Sequence, residues 1–131
     1  MIADPMIVGW AHTKFGKSGA KDTMALMAEV TAPALDHAGI PAGSVDGIFV
    51  GSFNNGFQPQ DFQGSLVAMG LPALAHVPAV RCENACATGS AALHAAMDFI
   101  AAGRGRVALV VGAEKMTAIP TADVGDVLLT A

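Results

Sequence analysis

Between Ala87 and Ala102 the strongly polar side chains are Thr88, Ser90, His94 and Asp98. Ala91, Ala92, Ala95 and Ala96 are small, and Leu93, Met97, Phe99 and Ile100 spread around the circumference of the helix that this run predicts. A helix apolar nearly all round belongs in an interior layer, because any face left in water would expose hydrocarbon. Small domains seldom have room for an interior helix. The chain has 131 residues, 53% of them hydrophobic, which is a large apolar surface for one small domain to cover. The expectation is an oligomeric or incomplete unit that packs against more protein.

Strand and helix alternate around this segment. Met6–Trp10 reads as a first strand, and Asp22–Ala38 as a helix capped by Asp22 and closed by Gly39, with Pro41 just beyond. Pro33 removes an amide donor inside that helix and predicts a kink or a division. Val45–Val50 reads as a second strand, ended by Gly51 and the turn-rich Ser52-Phe53-Asn54-Asn55-Gly56. A short helix is expected over Pro59–Met69. Val77–Cys82 and Val107–Val111 read as third and fourth strands, and the unbroken apolar character of the last suits a strand covered on both faces. Beyond Glu114, Lys115–Ala131 carries no clear element. The alternation predicts an α/β fold with a mainly parallel sheet, right-handed crossovers and helices on both faces.

Charge and composition exclude several classes. The net charge is -4, and the lysines and arginines at 14, 17, 21, 81, 104, 106 and 115 make no basic stripe of the kind that neutralises phosphate backbones. No nucleic-acid partner is expected. The apolar runs stop well short of the roughly 18 residues a spanning helix needs, and Met1-Ile-Ala-Asp-Pro5 lacks a basic region followed by an apolar stretch. No membrane partner is expected, and the default is a soluble cytoplasmic protein. Cys82 on a strand and Cys86 at a turn make no disulfide framework, so a reducing compartment fits.

Cys86 is the candidate catalytic residue. It lies in Glu83-Asn84-Ala85-Cys86-Ala87-Thr88-Gly89-Ser90, where a strand gives way to a helix. At that junction the backbone N–H groups and the helix dipole favour thiolate over thiol. Thr88, Gly89 and Ser90 are compact enough for a substrate to approach, Gly89 tolerates backbone geometry that other residues avoid, and the Cys86 amide could donate to an oxyanion formed in acyl transfer. The bland alternative is a small buried hydrophobe. Asn84 is expected to steady the turn through side-chain hydrogen bonds to backbone.

Asn84-Ala85-Cys86-Ala87-Thr88-Gly89-Ser90 resembles the nucleophile segment of the thiolases. Further stretches resemble that superfamily in order. Val8-Gly9-Trp10-Ala11-His12-Thr13-Lys14-Phe15-Gly16 is similar to the opening strand and loop of the sterol-carrier-protein-type branch, and Val45-Asp46-Gly47-Ile48-Phe49-Val50-Gly51 to its second strand. Val107–Met116, with Gly112-Ala113-Glu114-Lys115-Met116, is similar to the strand leaving the nucleophile helix.

The resemblance implies the N-terminal half of a layered α/β/α/β/α thiolase, an acetyl-CoA acetyltransferase-like enzyme, with the nucleophile helix in its middle layer. The core would occupy 1–114 and the start of a loop region 115–131, incomplete, with the C-terminal half absent. It implies that Cys86 takes an acyl group from acyl-CoA, and that the acyl-enzyme condenses with a second acyl-CoA or runs the reverse cleavage. Sulfur suits this as nucleophile and leaving group. The substrates would be coenzyme A thioesters, with no metal or redox cofactor, and a homo-oligomer would form through the strand Val77–Arg81. The family's activating His, its oxyanion loop and its second Cys belong to the C-terminal half, and neither Cys82 nor His12, His37, His76 or His94 stands in a matching motif. An unassisted cysteine titrates near about 8.5, so this chain alone is expected to be inactive without a C-terminal half or partner chain.

Other readings remain open on the sequence. A non-catalytic thiolase-like subunit would contribute binding surface only. Ketoacyl synthases and carbon-skeleton aldolases share the fold, although Ala87-Thr88-Gly89-Ser90 leans towards thiolase. Ala11–Ser18 comes close to the phosphate-binding loop of nucleotide triphosphatases, but Ala11 replaces its first glycine and Gly19 falls where helix should run. Cys82, Cys86 and His94 offer too few ligands for structural zinc, and Gly103 and Gly105 precede a strand rather than follow one, which leaves a dinucleotide site unsupported.

Overall fold

The computed structural model describes residues 4–53 and 56–130. The expectations placed on Met1–Ala3, Asn54, Asn55 and Ala131 lie outside the described residues.

Helix α1, Thr23–Ala38, begins where the Asp22 side chain accepts the Ala25 N–H at 2.8 Å and ends where Gly39 turns left-handed at φ 66°. Both signals were readable in the sequence. Such a cap contributes about 0.5–2 kcal/mol. Pro33 sits inside the helix without dividing it, contrary to one of the two expectations for it. Thr23, Met27, Thr31 and Leu35 recur every fourth residue and are all buried, so α1 turns one stripe inward.

Among the described residues three parallel strands form a sheet in the order β2-β1-β3. Strand β1 is Gly47–Gly51, β2 is Ala79–Cys82 and β3 is Ala108–Gly112. Each starts one or two residues later than the hydrophobic pattern suggested. For β2 the reason is Pro78, which has no N–H for a ladder and supplies only its carbonyl, to Ile48 N at 2.9 Å. Register pairs Phe49 with Val80 on one side and Val110 on the other.

Helix α2, Gln63–Gly70, links β1 to β2, and α3, Thr88–Ala101, carries the chain from β2 across β1 to β3. The two crossovers travel in opposite directions along the sheet. Connections of the same hand therefore place their helices on opposite faces. Ile48, Val50, Leu109 and Val111 pack with Met27, Leu35, Leu66 and Val67 on one face, while Phe49, Val110 and Ala108 meet Ala92, Ala96 and Phe99 on the other. Burying each large aliphatic side chain is worth about 1.5–3 kcal/mol. All five residues of β1 are buried, as befits the middle strand of a two-faced sheet.

Several expectations are corrected. Met6–Trp10 is not a strand. Gly9 is pressed so close to α1 that an added Cβ would lie 2.6 Å from Ala38 Cβ, and the Trp10 N–H donates to His37 Nδ1 at 3.2 Å. Met6–Gly16 and β3 line a common open cavity of about 540 Å³, and among the described residues the segment joins no strand ladder. Helix α2 opens at Gln63 rather than Pro59 because Phe62, at φ 58°, is left-handed. Lys115–Ala131 is not featureless, since helix α4 spans Thr121–Leu128. The expectation that α3 packs against more protein than this chain supplies is a different case: among the described residues the sheet covers one stripe of it, Thr88, Ala92 and Ala96, while Met97 stays 38% exposed.

Candidate active site

Strand β2 delivers the chain to the carboxyl edge of the sheet, and a single 3-10 turn, Ala85–Ala87, places Cys86 just ahead of α3. The thiol is free and exposed. Cys86 is therefore not buried among the described residues. Helix α3 has Ala87 at its N-cap position and receives no side-chain cap, so the backbone N–H groups of its first turn are not occupied by a capping side chain.

The turn is built from contacts that bracket Ala85, which adopts a left-handed φ of 43° although it is not glycine. That conformation costs on the order of 1–3 kcal/mol and persists only where neighbours hold it. The Glu83 carboxylate accepts the Ala85 N–H at 2.6 Å. The Thr88 hydroxyl donates to the Ala85 carbonyl at 2.7 Å and accepts the Asn84 N–H at 2.8 Å. Thr88 is itself buried against Gly51, where an added Cβ would lie 3.3 Å from both the Thr88 methyl and its carbonyl oxygen. The expectation that the Asn84 side chain steadies the turn is not met, since Asn84 makes no capping bond. Glu83 and Thr88 do that work.

The chain leaving β1 beside this turn is clamped from both outer strands. Arg81, on β2, donates from Nε to the Ser52 carbonyl at 3.1 Å and from Nη2 to the Phe53 carbonyl at 2.8 Å. Glu114, just past β3, accepts the Phe53 N–H at 2.7 Å. Burial pushes the Glu114 carboxyl up from its ordinary value, with the Phe53 N–H and the Arg81 charge acting in the opposite sense. Arg81, Thr88 and Glu114 were not assigned these roles from sequence. Their signal, a polar residue at the carboxyl end of each apolar strand and at the entrance of the alanine-rich helix, was present but has no meaning until the strand order is known.

The other candidates disperse. Cys82 is half-buried among the α3 contacts of the sheet, and burial pushes its thiol up. His12 stacks on Trp10 with ring centroids 5.3 Å apart, and His37 meets Trp10 edge-on at 6.2 Å. Ala11–Ser18 follows no strand, and helix begins only at Thr23, so the phosphate-loop context is missing. Among the described residues no three His, Cys, Asp or Glu side chains gather as a metal site would need, and no helix is long and apolar enough to cross a membrane.

A free, exposed cysteine thus lies in a left-handed turn between the carboxyl edge of a parallel sheet and a helix without a side-chain cap, on a chain of the α/β class. The model of the thiolase N-terminal domain matches residues 5–128, and the chain belongs to that family. It is 38% identical over 117 residues to an acetyl-CoA acetyltransferase of Methanocaldococcus jannaschii, a match covering 88% of this chain and 30% of that protein. An acetyl-CoA acetyltransferase of Methanothermobacter thermautotrophicus is 31% identical over the same length and coverage. The structure of an acetyl-CoA acetyltransferase from Syntrophomonas wolfei has a TM-score of 0.67 to this chain at 19% identity, covering 79% of this chain and 27% of that one, which is a likeness of fold. The chain thus spans about 30% of the length of the curated relatives it matches.

Proposed function

We propose that this chain carries the nucleophile of a thiolase-type acyltransferase, with Cys86 as the acyl-bearing residue. The observation that carries the reading is the exposed Cys86 thiol on a strained turn at the entrance of α3. In the proposed step the Cys86 thiolate attacks the carbonyl carbon of an acyl-CoA, a new carbon–sulfur bond forms, and coenzyme A leaves as its thiolate and takes up a proton. The acyl-enzyme then condenses with a second acyl-CoA, or the same steps run in reverse as thiolytic cleavage. Substrates are coenzyme A thioesters, and the reading calls on no metal or redox cofactor. The names of the relatives support this choice of substrate.

Residues 1–114 would form the core and 115–131 the start of a covering loop region. Proton transfer to and from the reacting groups needs partners that this chain's histidines do not provide by motif, so the 131-residue chain alone is expected not to turn over acyl-CoA. Self-association through Val77–Arg81 is supported by the position of β2 at an edge of the sheet, with Val80 47% exposed. Two free cysteines suit a reducing compartment, and the cytoplasm is proposed on that ground.

Mass spectrometry after incubation with acetyl-CoA tests the reading. A mass gain mapped to Cys86, absent in Cys86→Ala, is expected. A chain that stays unmodified when supplied with the rest of a thiolase would point instead to a non-catalytic binding subunit.

A further inference from the structure

We propose that Thr88 is the positioning residue of Cys86, fixing the backbone plane that enters the nucleophile. The inference rests on the acyl-carrier reading only for the substrate. A hydroxyl has one proton and two lone pairs. Thr88 directs the proton to the Ala85 carbonyl at 2.7 Å and offers a lone pair to the Asn84 N–H at 2.8 Å. The Ala85 carbonyl shares a planar peptide unit with the Cys86 nitrogen, so holding the oxygen holds the plane from which the Cys86 side chain projects.

Two further observations make this more than a local bond. First, Ala85 sits at φ 43°, a conformation an alanine leaves readily unless restrained from both sides, and Glu83 and Thr88 hold its N–H and its carbonyl respectively. Second, Thr88 is an anchored restraint. It is 7% exposed, and its methyl and carbonyl fill the space a side chain at Gly51 would occupy. Branching at Cβ further restricts its χ1. Position is thus handed from the end of β1 to Thr88, from Thr88 to Ala85, and from Ala85 to the sulfur. A misplacement of about 1 Å at a reacting atom can cost on the order of a hundredfold in rate, so the hydroxyl matters to acyl transfer out of proportion to its share of stability.

The test compares Thr88→Val, which keeps the branch against Gly51 and removes the hydroxyl, with Thr88→Ser, which keeps the hydroxyl and removes the methyl. NMR reads the turn directly, through the Ala85 backbone shifts that report its left-handed φ and through hydrogen exchange of the Asn84 amide. Acetyl transfer from acetyl-CoA to Cys86 reads the consequence. Valine should release Ala85 from positive φ, speed Asn84 exchange at least about tenfold and slow acetyl transfer about tenfold or more, with serine close to wild type in all three. A valine variant that keeps the Ala85 geometry, or that accepts acetyl groups as fast as wild type, overturns the proposal. Should valine prevent folding, Thr88→Ala replaces it against Thr88→Ser with the same expectations. If the wild-type chain takes no acetyl group even when supplied with the rest of a thiolase, the acyl-carrier reading fails, and the NMR comparison alone decides the role of Thr88.

Discussion

The carboxylate of Glu114, just past β3, accepts the backbone N–H of Phe53 at 2.7 Å, while Arg81 from β2 takes the carbonyl of the same residue. Strands on either side of β1 thereby grip the chain as it leaves the sheet beside Cys86. Removing one grip leaves a buried backbone group without a partner, at about 1–3 kcal/mol.

Glu114 predicts a pH dependence of stability. Burial is the leading influence on its carboxyl and raises it in the folded state, which means that folding favours the protonated form. The associated stability is fully present below the ordinary value of 4.5 and is lost as pH rises through the raised folded value. Glu114→Gln does not titrate and keeps an oxygen for Phe53. Urea midpoints of wild type minus Glu114→Gln, followed from about pH 4 to 7, should therefore fall as pH rises. A flat or rising difference contradicts the assignment.

Asp46 carries the opposite sign. Its Oδ2 accepts the Arg106 N–H at 2.7 Å and the Val107 N–H at 3.0 Å, and these bonds lower its carboxyl below the ordinary value of 3.8. Stability from this group is present above that value and is lost as pH falls through the lowered folded value. Asp46→Ala should consequently be less stable than wild type at neutral pH, and the gap should close in strong acid. Thermal unfolding across that range checks it.

Gly51→Ala should disturb the Cys86 turn from the end of β1, on the face that α3 covers. The new methyl would sit 3.3 Å from the Thr88 methyl and carbonyl, closer than most real contacts, and Thr88 has nowhere to retreat without shifting Ala85. Overpacking of this kind costs about 1–3 kcal/mol. Denaturant midpoints should report that loss, and acetyl transfer to Cys86 should fall with it.

The two cysteines should separate cleanly on labelling. Cys86 is exposed, whereas Cys82 is half-buried against α3 with its thiol pushed up by burial. Iodoacetamide at neutral pH, followed by peptide mass mapping, should modify Cys86 first, with Cys82 requiring more alkaline solution or unfolding. Equal rates would mean that the Cys82 environment is open.

The elements that were legible are those whose signals are local. Asp22 and Gly39 bound α1 because a cap acts within a few residues of itself. The apolar run at Val107–Val111 announced β3 because a strand covered on both faces needs such a run wherever it lies. Met6–Trp10 has the same local look, yet a strand exists only when a neighbour offers its backbone, and here the neighbouring ground is a cavity and the end of α1. Helix α4 has local signs of its own, Pro120 before its first residue, Asp123 in its first turn and Val124, Val127 and Leu128 at helical spacing, and only Gly125 in its interior weighs against it.

The candidate site divides in the same way. Chain order alone assigned Cys86 to a strand-to-helix junction and made it the residue on which chemistry would centre, since strand and helix propensities are properties of neighbouring residues. Only folding brought Gly51, Thr88, Arg81, Phe53 and Glu114 to one edge of the sheet, because the order β2-β1-β3 depends on how three strands far apart in the chain bury two faces at once. The turn that holds the sulfur is therefore tertiary in origin, as its left-handed Ala85 would relax in an isolated peptide and is kept by a hydroxyl that is itself wedged against another strand.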